Sequence, residues 1–347
     1  MNGTRHLRYV ALLTLVASSL TAVALAQSAH DAAPLHRIAS VSVPGISGDF
    51  DHFAVDEKGG RLFLAGEDHK TLELFDLSTG RHIKSVAGFG TPHSIFYLPD
   101  SNQILVTDAD AGVQILSGTD YSFSDKIEGL AGADSARLDT KRGILYVVTG
   151  GKDVNLDHSF LVALDLKSKT KIGELRFASN HVEAFALDPS SARLFINITD
   201  KGEVAVVDRD SMKEITRWPL AVAGENSPMI YDETHRRLFI VCRKPPMLVI
   251  LNADSGKVVA HLPAAGRSDD LAFDPATGFI YVPGGDGNLS VFRQNSADKY
   301  SFVATVPTAS GAKTSLLVAS SHRYFVAVSP GATKAPAQLL VFETTAQ

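Results

Sequence analysis

The sequence predicts an all-β fold made of seven copies of one four-stranded antiparallel unit. Three observations predict it: a motif that recurs along the chain, four short alternating runs in each copy, and one surplus strand before the first complete copy. The chain has 347 residues, of which 45% are hydrophobic and 20% are charged, so it can build a globular core. No segment between the copies is long enough to form a second domain.

The recurring motif is an apolar strand ending in Asp, followed six residues later by a second apolar run. In the first copy it is Phe53-Ala54-Val55-Asp56 followed by Leu62-Phe63-Leu64. The motif position is occupied in turn by Asp56, Leu98, Asp139, Asp188, Asp232, Asp274 and, in the degenerate last copy, about Ala319. The steps between these positions are 42, 41, 49, 44, 42 and about 45 residues, which is the period of a propeller blade. The Asp itself is expected to cap the turn that follows it.

Each copy contains four strand-like runs separated by turn residues. In the first copy the predicted strands are His52–Val55, Leu62–Ala65, Thr71–Asp76 and Arg81–Val86. The seventh copy is one strand short, because no further run follows Gln338–Glu343. The surplus run His36–Val43 supplies that strand if it pairs outside Gln338–Glu343, which closes the ring and leaves no unpaired edge there. The sequence therefore predicts a seven-bladed β-propeller of four-stranded antiparallel blades, closed by the N-terminal strand, as one domain over 36–347.

Residues 1–26 are predicted to be a signal peptide. Arg5 and Arg8 precede an apolar run that ends in Ala24-Leu25-Ala26, a pattern of small residues typical of a cleavage site. The alternative is a short membrane anchor, but the Thr and Ser residues in the run and its small-residue end favour cleavage. Removal of the segment changes the formal net charge from −5 to −7 and leaves a short tail, 27–35. We expect a periplasmic or secreted monomer with no transmembrane segment, and the single cysteine, Cys242, excludes an intrachain disulfide.

The repeat resembles that of the YVTN-type (YncE-like) propellers of bacterial periplasmic and surface proteins. The resemblance spans about residues 36–346 and is carried by Arg61-Leu62-Phe63-Leu64-Ala65, by Leu74-Phe75-Asp76-Leu77-Ser78-Thr79-Gly80 and by Pro92-His93-Ser94. The literal Tyr-Val-Thr-Asn string is absent, and Tyr146-Val147-Val148-Thr149 and Tyr281-Val282-Pro283 depart from it. The resemblance implies the fold and export, but it implies little about chemistry, because propellers host many functions.

A polar residue stands five positions before the motif position of every copy, where an otherwise apolar inner strand begins. These residues are Asp51, His93, Asp134, Glu183, Ser227, Asp269 and Thr314. Because the inner strands of a propeller line its central channel, we expect these side chains to meet at one channel mouth. The predicted ligand-binding residues there are Asp51, His52, His93, Asp134, His181, Glu183, Arg267, Asp269 and Asp270.

Two interpretations of this mouth remain open. In the first, the polar residues only line a water-filled channel. In the second, they hold a ligand: His52, His93 and His181 are the candidate ligands of a divalent metal, since imidazoles with carboxylates suit Zn²⁺ or a similar ion. Arg267, beside Asp269 and Asp270, favours a substrate anion over a metal in its own sector.

The motif search favours binding over catalysis. The sequence has no Gly-x-Ser-x-Gly elbow, His-Glu-x-x-His, Cys-x-x-Cys or Gly-x-Gly-x-x-Gly motif. The leading hypothesis is a binding scaffold for a protein, peptide or small ligand, and the alternative is a metal-assisted lactonase or lyase with its site in the channel. Nucleic acid is disfavoured as a partner, because the mature chain is acidic and has no stripe of basic and aromatic residues.

Overall fold

The computed structural model describes residues 34–330 and 335–345 and confirms the predicted architecture. Within those ranges the chain forms 28 strands and three short 3₁₀ segments, and the strands build seven four-stranded antiparallel sheets. The predicted signal peptide and the tail before residue 34 lie outside the described residues, so both stay predictions.

The strands follow one another with short turns between them. Blades one to three, preceded by the closing strand, contain β1 Leu35–Val43, β2 Phe53–Asp56, β3 Arg61–Gly66, β4 Thr71–Asp76, β5 His82–Ala87, β6 Pro92–Leu98, β7 Gln103–Asp108, β8 Gly112–Ser117, β9 Phe123–Ile127, β10 Ala136–Asp139, β11 Ile144–Gly150, β12 Ser159–Asp165 and β13 Thr170–Phe177. Blades four and five contain β14 Val182–Leu187, β15 Arg193–Ile198, β16 Glu203–Asp208, β17 Lys213–Pro219, β18 Gly224–Asp232, β19 Arg237–Lys244, β20 Pro246–Asn252 and β21 Val258–Pro263. Blades six and seven contain β22 Ala272–Asp274, β23 Phe279–Gly284, β24 Asp286–Ser296, β25 Lys299–Ser310, β26 Thr314–Val318, β27 Arg323–Val328 and β28 Ala337–Thr344. The 3₁₀ segments are Lys152–Val154, Thr199–Lys201 and Ala319–Ser321.

The ring is closed by β1, as predicted. Six sheets consist of four consecutive strands, whereas the seventh has the order β1-β28-β27-β26. In the closing pair Ser42 lies opposite Gln338 and His36 lies opposite Glu343, in antiparallel register. The last blade therefore takes its outer strand from the start of the described chain.

The core lies between neighbouring blades. The second and third strands of the blades are buried; Leu62 and Phe63 of β3, for example, are fully buried. The cluster that joins the first and last blades includes Phe53 and Phe75 of one and Phe325 of the other. Each such aromatic side chain contributes about 1.5–3 kcal/mol when it is buried, so every blade stabilises its two neighbours.

The repeated Asp closes the first turn of its blade. Asp56 accepts hydrogen bonds from the Gly59 amide at 2.8 Å and from Arg61 Nε at 2.9 Å. In the last blade Val318 pairs with Arg323 as Asp56 pairs with Arg61. The motif position of that blade is therefore Val318, one residue before the predicted position at about Ala319.

Candidate functional site

Seven side chains from the starts of the seven inner strands meet at one end of the channel. This upper ring consists of Asp51, His93, Asp134, Glu183, Ser227, Asp269 and Lys313, and all seven line one cavity of about 380 Å³, the mouth cavity. Six of them are at the positions predicted from the sequence. The seventh prediction, Thr314, is wrong because of the one-residue shift in the last blade: Thr314 is buried, and Lys313 faces the cavity.

The other predicted residues divide between the mouth and the rest of the channel. His52 and His181 line the mouth cavity. Asp270 does not; it lines a second cavity farther along the channel, which His52 also reaches. Arg267 lines neither cavity, and its carbonyl oxygen accepts a hydrogen bond from the Gly285 amide at 3.4 Å. The structure thus separates Arg267 from the residues with which the sequence grouped it.

Asp51, His93 and Asp134 form the acidic sector of the mouth. His93 Nδ1 lies 2.6 Å from Asp51 Oδ2 and 3.7 Å from Asp134 Oδ1, although the three residues belong to three different blades. Burial opposes protonation of His93, but the charge of Asp134 and the hydrogen bond to Asp51 outweigh it and raise the pKa of His93 to about 10. Burial also opposes ionisation of Asp51, yet the neighbouring histidines hold its pKa well below the usual range.

His52 links this sector to the channel below. Its Nε2 lies 3.5 Å from Asp51 Oδ1, and its Nδ1 lies 3.2 Å from Asp270 Oδ1. Burial opposes its charge, but the two carboxylates outweigh burial and raise the pKa of His52 to about 10. His52 is therefore a cation held between two acids, with both ring nitrogens directed at carboxylates.

His181, Glu183 and Lys152 form the next sector. His181 Nε2 lies 2.7 Å from Glu183 Oε1 and 3.0 Å from Lys152 Nζ. Lys152 comes from the loop between β11 and β12, the longest insertion of the repeat, whose 3₁₀ segment and flanking glycines line the cavity. Burial raises the pKa of Glu183, but the hydrogen bond from His181 reverses this, so the net shift is downward.

Asp269 lies between two cations on the opposite side of the mouth. Arg243 and Lys313 both form ion pairs with it, and Lys313 Nζ also lies 2.8 Å from Asp49 Oδ2. Arg243 Nη2 also lies 3.1 Å from Ser227 Oγ. This sector is balanced in charge.

Three charged residues of the mouth were not predicted from the sequence: Glu67, Lys152 and Lys313. Glu67 and Lys152 lie on loops between strands, where no periodicity marks the side chains that turn inward. Burial and the nearby charge of Asp51 raise the pKa of Glu67 to about 7, and burial raises the pKa of Asp134 to about 6 although His93 opposes this. Burial is the larger cause of both shifts, and neighbouring carboxylates add to it.

The acidic sector could also hold a metal ion. Among the described residues, His93 and one oxygen each of Asp51 and Asp134 form the one group of three such ligands that lie within 4.8 Å of one another. One imidazole with two carboxylates suits Zn²⁺ or Mn²⁺. The group contains only one of the three histidines predicted as ligands. The other two histidines have other partners. Both ring nitrogens of His52 are directed at carboxylates, and Lys152 Nζ lies beside His181.

Comparison with solved structures supports the fold and nothing finer. A chain of the mitotic checkpoint complex aligns with a TM-score of 0.72 and 15% identity over 99% of this chain and 100% of its own length. Hydrazine synthase of Kuenenia stuttgartiensis aligns with a TM-score of 0.71 and 15% identity, over 88% of this chain and 99% of its own. No protein-family model and no curated protein sequence matches the chain. The protein is a seven-bladed β-propeller, and its resemblance to the YVTN-type family stays a prediction.

In the part of the chain that the structure describes, no helix has the length and apolarity needed to span a bilayer.

Proposed function

We propose that this protein is an exported binding scaffold whose mouth cavity takes a small, polar, positively charged ligand. The ligand is a free molecule or a group carried by a protein or peptide that docks on this face. The observation that carries the proposal is the convergence of the upper ring on a single cavity whose lining has more acids than bases.

The charge of the lining favours a cation. The carboxylates that line the cavity are Asp51, Glu67, Asp110, Asp134, Asp153, Glu183 and Asp269, whereas its lysines and arginines are Lys152, Arg243 and Lys313. Protonation of His52 and His93, with partial protonation of Glu67, compensates only part of this excess. A ligand ammonium group placed among Asp51, Asp134 and Glu67 would relieve the repulsion between them.

The size of the cavity favours a small ligand. About 380 Å³ lies near the lower end of the range for small-molecule sites, roughly 300–1,000 Å³. The polar groups come from different blades of a rigid scaffold, so they are positioned before the ligand arrives.

Titration of the purified protein with putrescine, a small dication, tests the proposal, with succinate as a dianion of similar length. We expect saturable binding of putrescine and at least ~10-fold weaker binding by Asp134→Asn, because one carboxylate charge is lost from the cavity. Asp120→Asn is the matched control, since Asp120 makes the same charge change on an exposed turn. Succinate binding as well as putrescine, or an Asp134→Asn variant that binds like the parent, would contradict the proposal.

Export is the second part of the proposal, and residues 1–26 support it. We expect the mature protein to begin at or near Gln27. Amino-terminal sequencing of the protein from a cell fractionation checks this, and an intact Met1 in a membrane fraction would count against export.

A metal-assisted hydrolase or lyase is the second candidate function, and the group of Asp51, His93 and Asp134 is what favours it. A divalent ion held there would polarise a carbonyl oxygen of a substrate. Since His93 is protonated, metal binding must displace a proton from it.

Metal analysis of protein treated with EDTA and then loaded with Zn²⁺ or Mn²⁺ tests this candidate, together with an assay of δ-valerolactone hydrolysis. An enzyme is supported if the protein binds stoichiometric metal, if His93→Ala loses that metal, and if lactone hydrolysis follows the metal content. Stoichiometric metal without hydrolysis makes the ion a bound ligand, and absence of metal removes the second candidate.

A further inference from the structure

The same seven inner strands have a different character three residues farther along. The residues there form a lower ring: Ala54, Phe96, Arg137, Ala186, Ile230, Ala272 and Leu316. The pairings show that these positions are equivalent, since Ala54 lies opposite Phe63, Arg137 opposite Tyr146 and Leu316 opposite Phe325. Six members of the ring are apolar, and Arg137 is the only charged one.

A second cavity of about 350 Å³, the lower cavity, opens at this level. Much of its wall is apolar and includes Phe96, Ile230, Phe273 and Leu316, which are half-buried and therefore accessible from the channel. Arg137 lines the same cavity. The lower cavity thus combines a partly apolar wall with the guanidinium of Arg137, the carboxylate of Asp270 and the imidazole of His52.

Arg137 is partly buried in the channel wall and has few protein partners. Its Nη1 donates to the carbonyl oxygen of its neighbour Ala136 at 2.7 Å, and its guanidinium carbon lies 5.9 Å from the centre of the Phe185 ring. Among the described residues no carboxylate lies within ion-pairing distance, 4.0 Å, of its guanidinium. A guanidinium has five N–H donors, so most of those of Arg137 have no protein acceptor. Burial lowers the pKa of Arg137, although the charge of Asp270 opposes this.

Asp270, the carboxylate that shares the cavity, is already engaged. Its Oδ1 lies 3.2 Å from His52 Nδ1, and its Oδ2 accepts a hydrogen bond from the Ser315 amide at 3.1 Å. It therefore compensates His52 and leaves the charge of Arg137 for a ligand. An anion that enters the cavity would therefore meet a partly buried guanidinium that has no carboxylate partner among the described residues.

We infer that the lower cavity is a second binding site, which takes a small organic carboxylate with an apolar body. The carboxylate forms charge-assisted hydrogen bonds with Arg137. The apolar body packs on the phenylalanine and aliphatic side chains of the wall. Two levels of one channel then select opposite charges: a cation at the mouth and an apolar anion at the lower cavity.

Isothermal titration of the mature protein with 4-phenylbutyrate tests this inference, with 4-phenylbutyramide as the uncharged counterpart of the same shape. We expect saturable binding of the acid and at least ~10-fold weaker binding of the amide, because only the acid pairs with the guanidinium. This comparison uses the unaltered protein, so it needs no variant to fold.

Variants then locate the site. Arg137→Gln should lose the preference for the acid over the amide, whereas Arg293→Gln should keep it. Arg293 is the matched control because its guanidinium carbon also lies over a phenylalanine ring, 5.5 Å from that of Phe279, but it is exposed on the outer part of its blade. Asp134→Asn, which should weaken binding of putrescine at the mouth cavity, should leave binding of the acid unchanged. Failure of the mouth proposal and failure of this one are therefore distinguishable.

Equal binding of acid and amide would overturn the inference. So would the absence of saturable binding of the acid, or an Arg137→Gln variant that keeps the full preference for the acid.

Discussion

The upper ring lies at or just before the start of the seven inner strands and the lower ring three residues farther along, yet their composition is opposite. The upper ring has a polar side chain in every blade, and the lower ring has six apolar side chains and Arg137. A water-filled channel alone would favour polar residues at both levels. Because the lower ring is apolar, water in the channel is not a sufficient reason for the polar upper ring. The difference favours a ligand at the mouth over a passive lining.

Both rings exist only while the seven blades are closed into a circle, so removal of the closing strand should have the largest effect. Deletion of Leu35–Val43 exposes the edge of β28 and its buried side chains Leu339, Val341 and Phe342. Loss of the strand's own buried side chains, together with this exposure, at about 1.5–3 kcal/mol per side chain, approaches the whole stability of a domain, roughly 5–15 kcal/mol. We expect aggregation or a large fall in Tm, measured by circular dichroism.

A synthetic peptide of residues 34–44, added in trans, serves as the control for that deletion, since it should restore part of the Tm if the strand acts through pairing. A deletion variant that melts like its parent would show that the ring does not depend on β1.

The charge balance of the upper ring can be broken at one carboxylate. Asp269→Ala leaves Arg243 and Lys313 in the mouth without their shared partner. Breaking a fully buried ion pair costs about 3–5 kcal/mol, and these side chains are partly exposed, so we expect a loss of about 2–3 kcal/mol in chemical denaturation. Asp100→Ala on an exposed turn should change stability by less than ~0.5 kcal/mol. A similarly small loss for Asp269→Ala would mean that its ion pairs with Arg243 and Lys313 do not stabilise the fold.

The Asp that is repeated at the ends of the inner strands should make the free energy of unfolding depend on pH. Burial of Asp188 raises its pKa, but hydrogen bonds from Ser190 and Ser191 outweigh burial and lower the pKa to about 2, below its ordinary value of 3.8. Its contribution, on the order of 2 kcal/mol, is therefore present above about pH 4 and is lost as the pH falls through about 2. Unfolding free energies of the wild type and Asp188→Asn should converge between pH 5 and pH 2.5. A difference that stays constant over this interval would contradict the assignment.

The smallest effect on stability is expected at Arg137, the one charged residue of the lower ring. Arg137→Leu removes a partly buried charge that has no carboxylate partner among the described residues and completes the apolar ring, so stability should stay the same or rise by up to ~1 kcal/mol. Arg209→Leu is the contrasting control: Arg209 is buried and donates to Asp139 at 2.7 Å and to the Asp188 carbonyl oxygen at 2.8 Å. We expect Arg209→Leu to lose at least ~2 kcal/mol in the same denaturation experiment. A comparable loss in Arg137→Leu would reveal a structural role for Arg137.

The fold and six of the seven upper-ring residues could be predicted because the repeat encodes them. The spacing from the repeated Asp to the start of the inner strand is constant, so a residue such as Glu183 can be placed from Asp188 alone. The last copy lacks that Asp, and its inner strand ends in the 3₁₀ segment Ala319–Ser321, which gives no comparable mark. The prediction for this copy is consequently wrong by one residue: it gives Thr314, whereas Lys313 lines the mouth cavity.

The contacts inside the mouth could not be predicted. His93 pairs with Asp51, 42 residues away on another blade. The repeat does not determine which neighbouring blade an upper-ring side chain contacts. For the same reason the repeat does not show that His52, His93 and His181 each contact a carboxylate. The repeat does not mark Arg137 either, because it occupies a position at which the other copies carry apolar residues.

The closing pair of strands also has a consequence for how this chain folds. Ser40 Oγ donates to Gln338 Oε1, a contact between residues 298 positions apart. Contacts so distant in sequence form slowly, since a long stretch of chain must be brought together first. We therefore expect the strand that is synthesised first among those described to pair last, so that both rings are completed only at the end of folding.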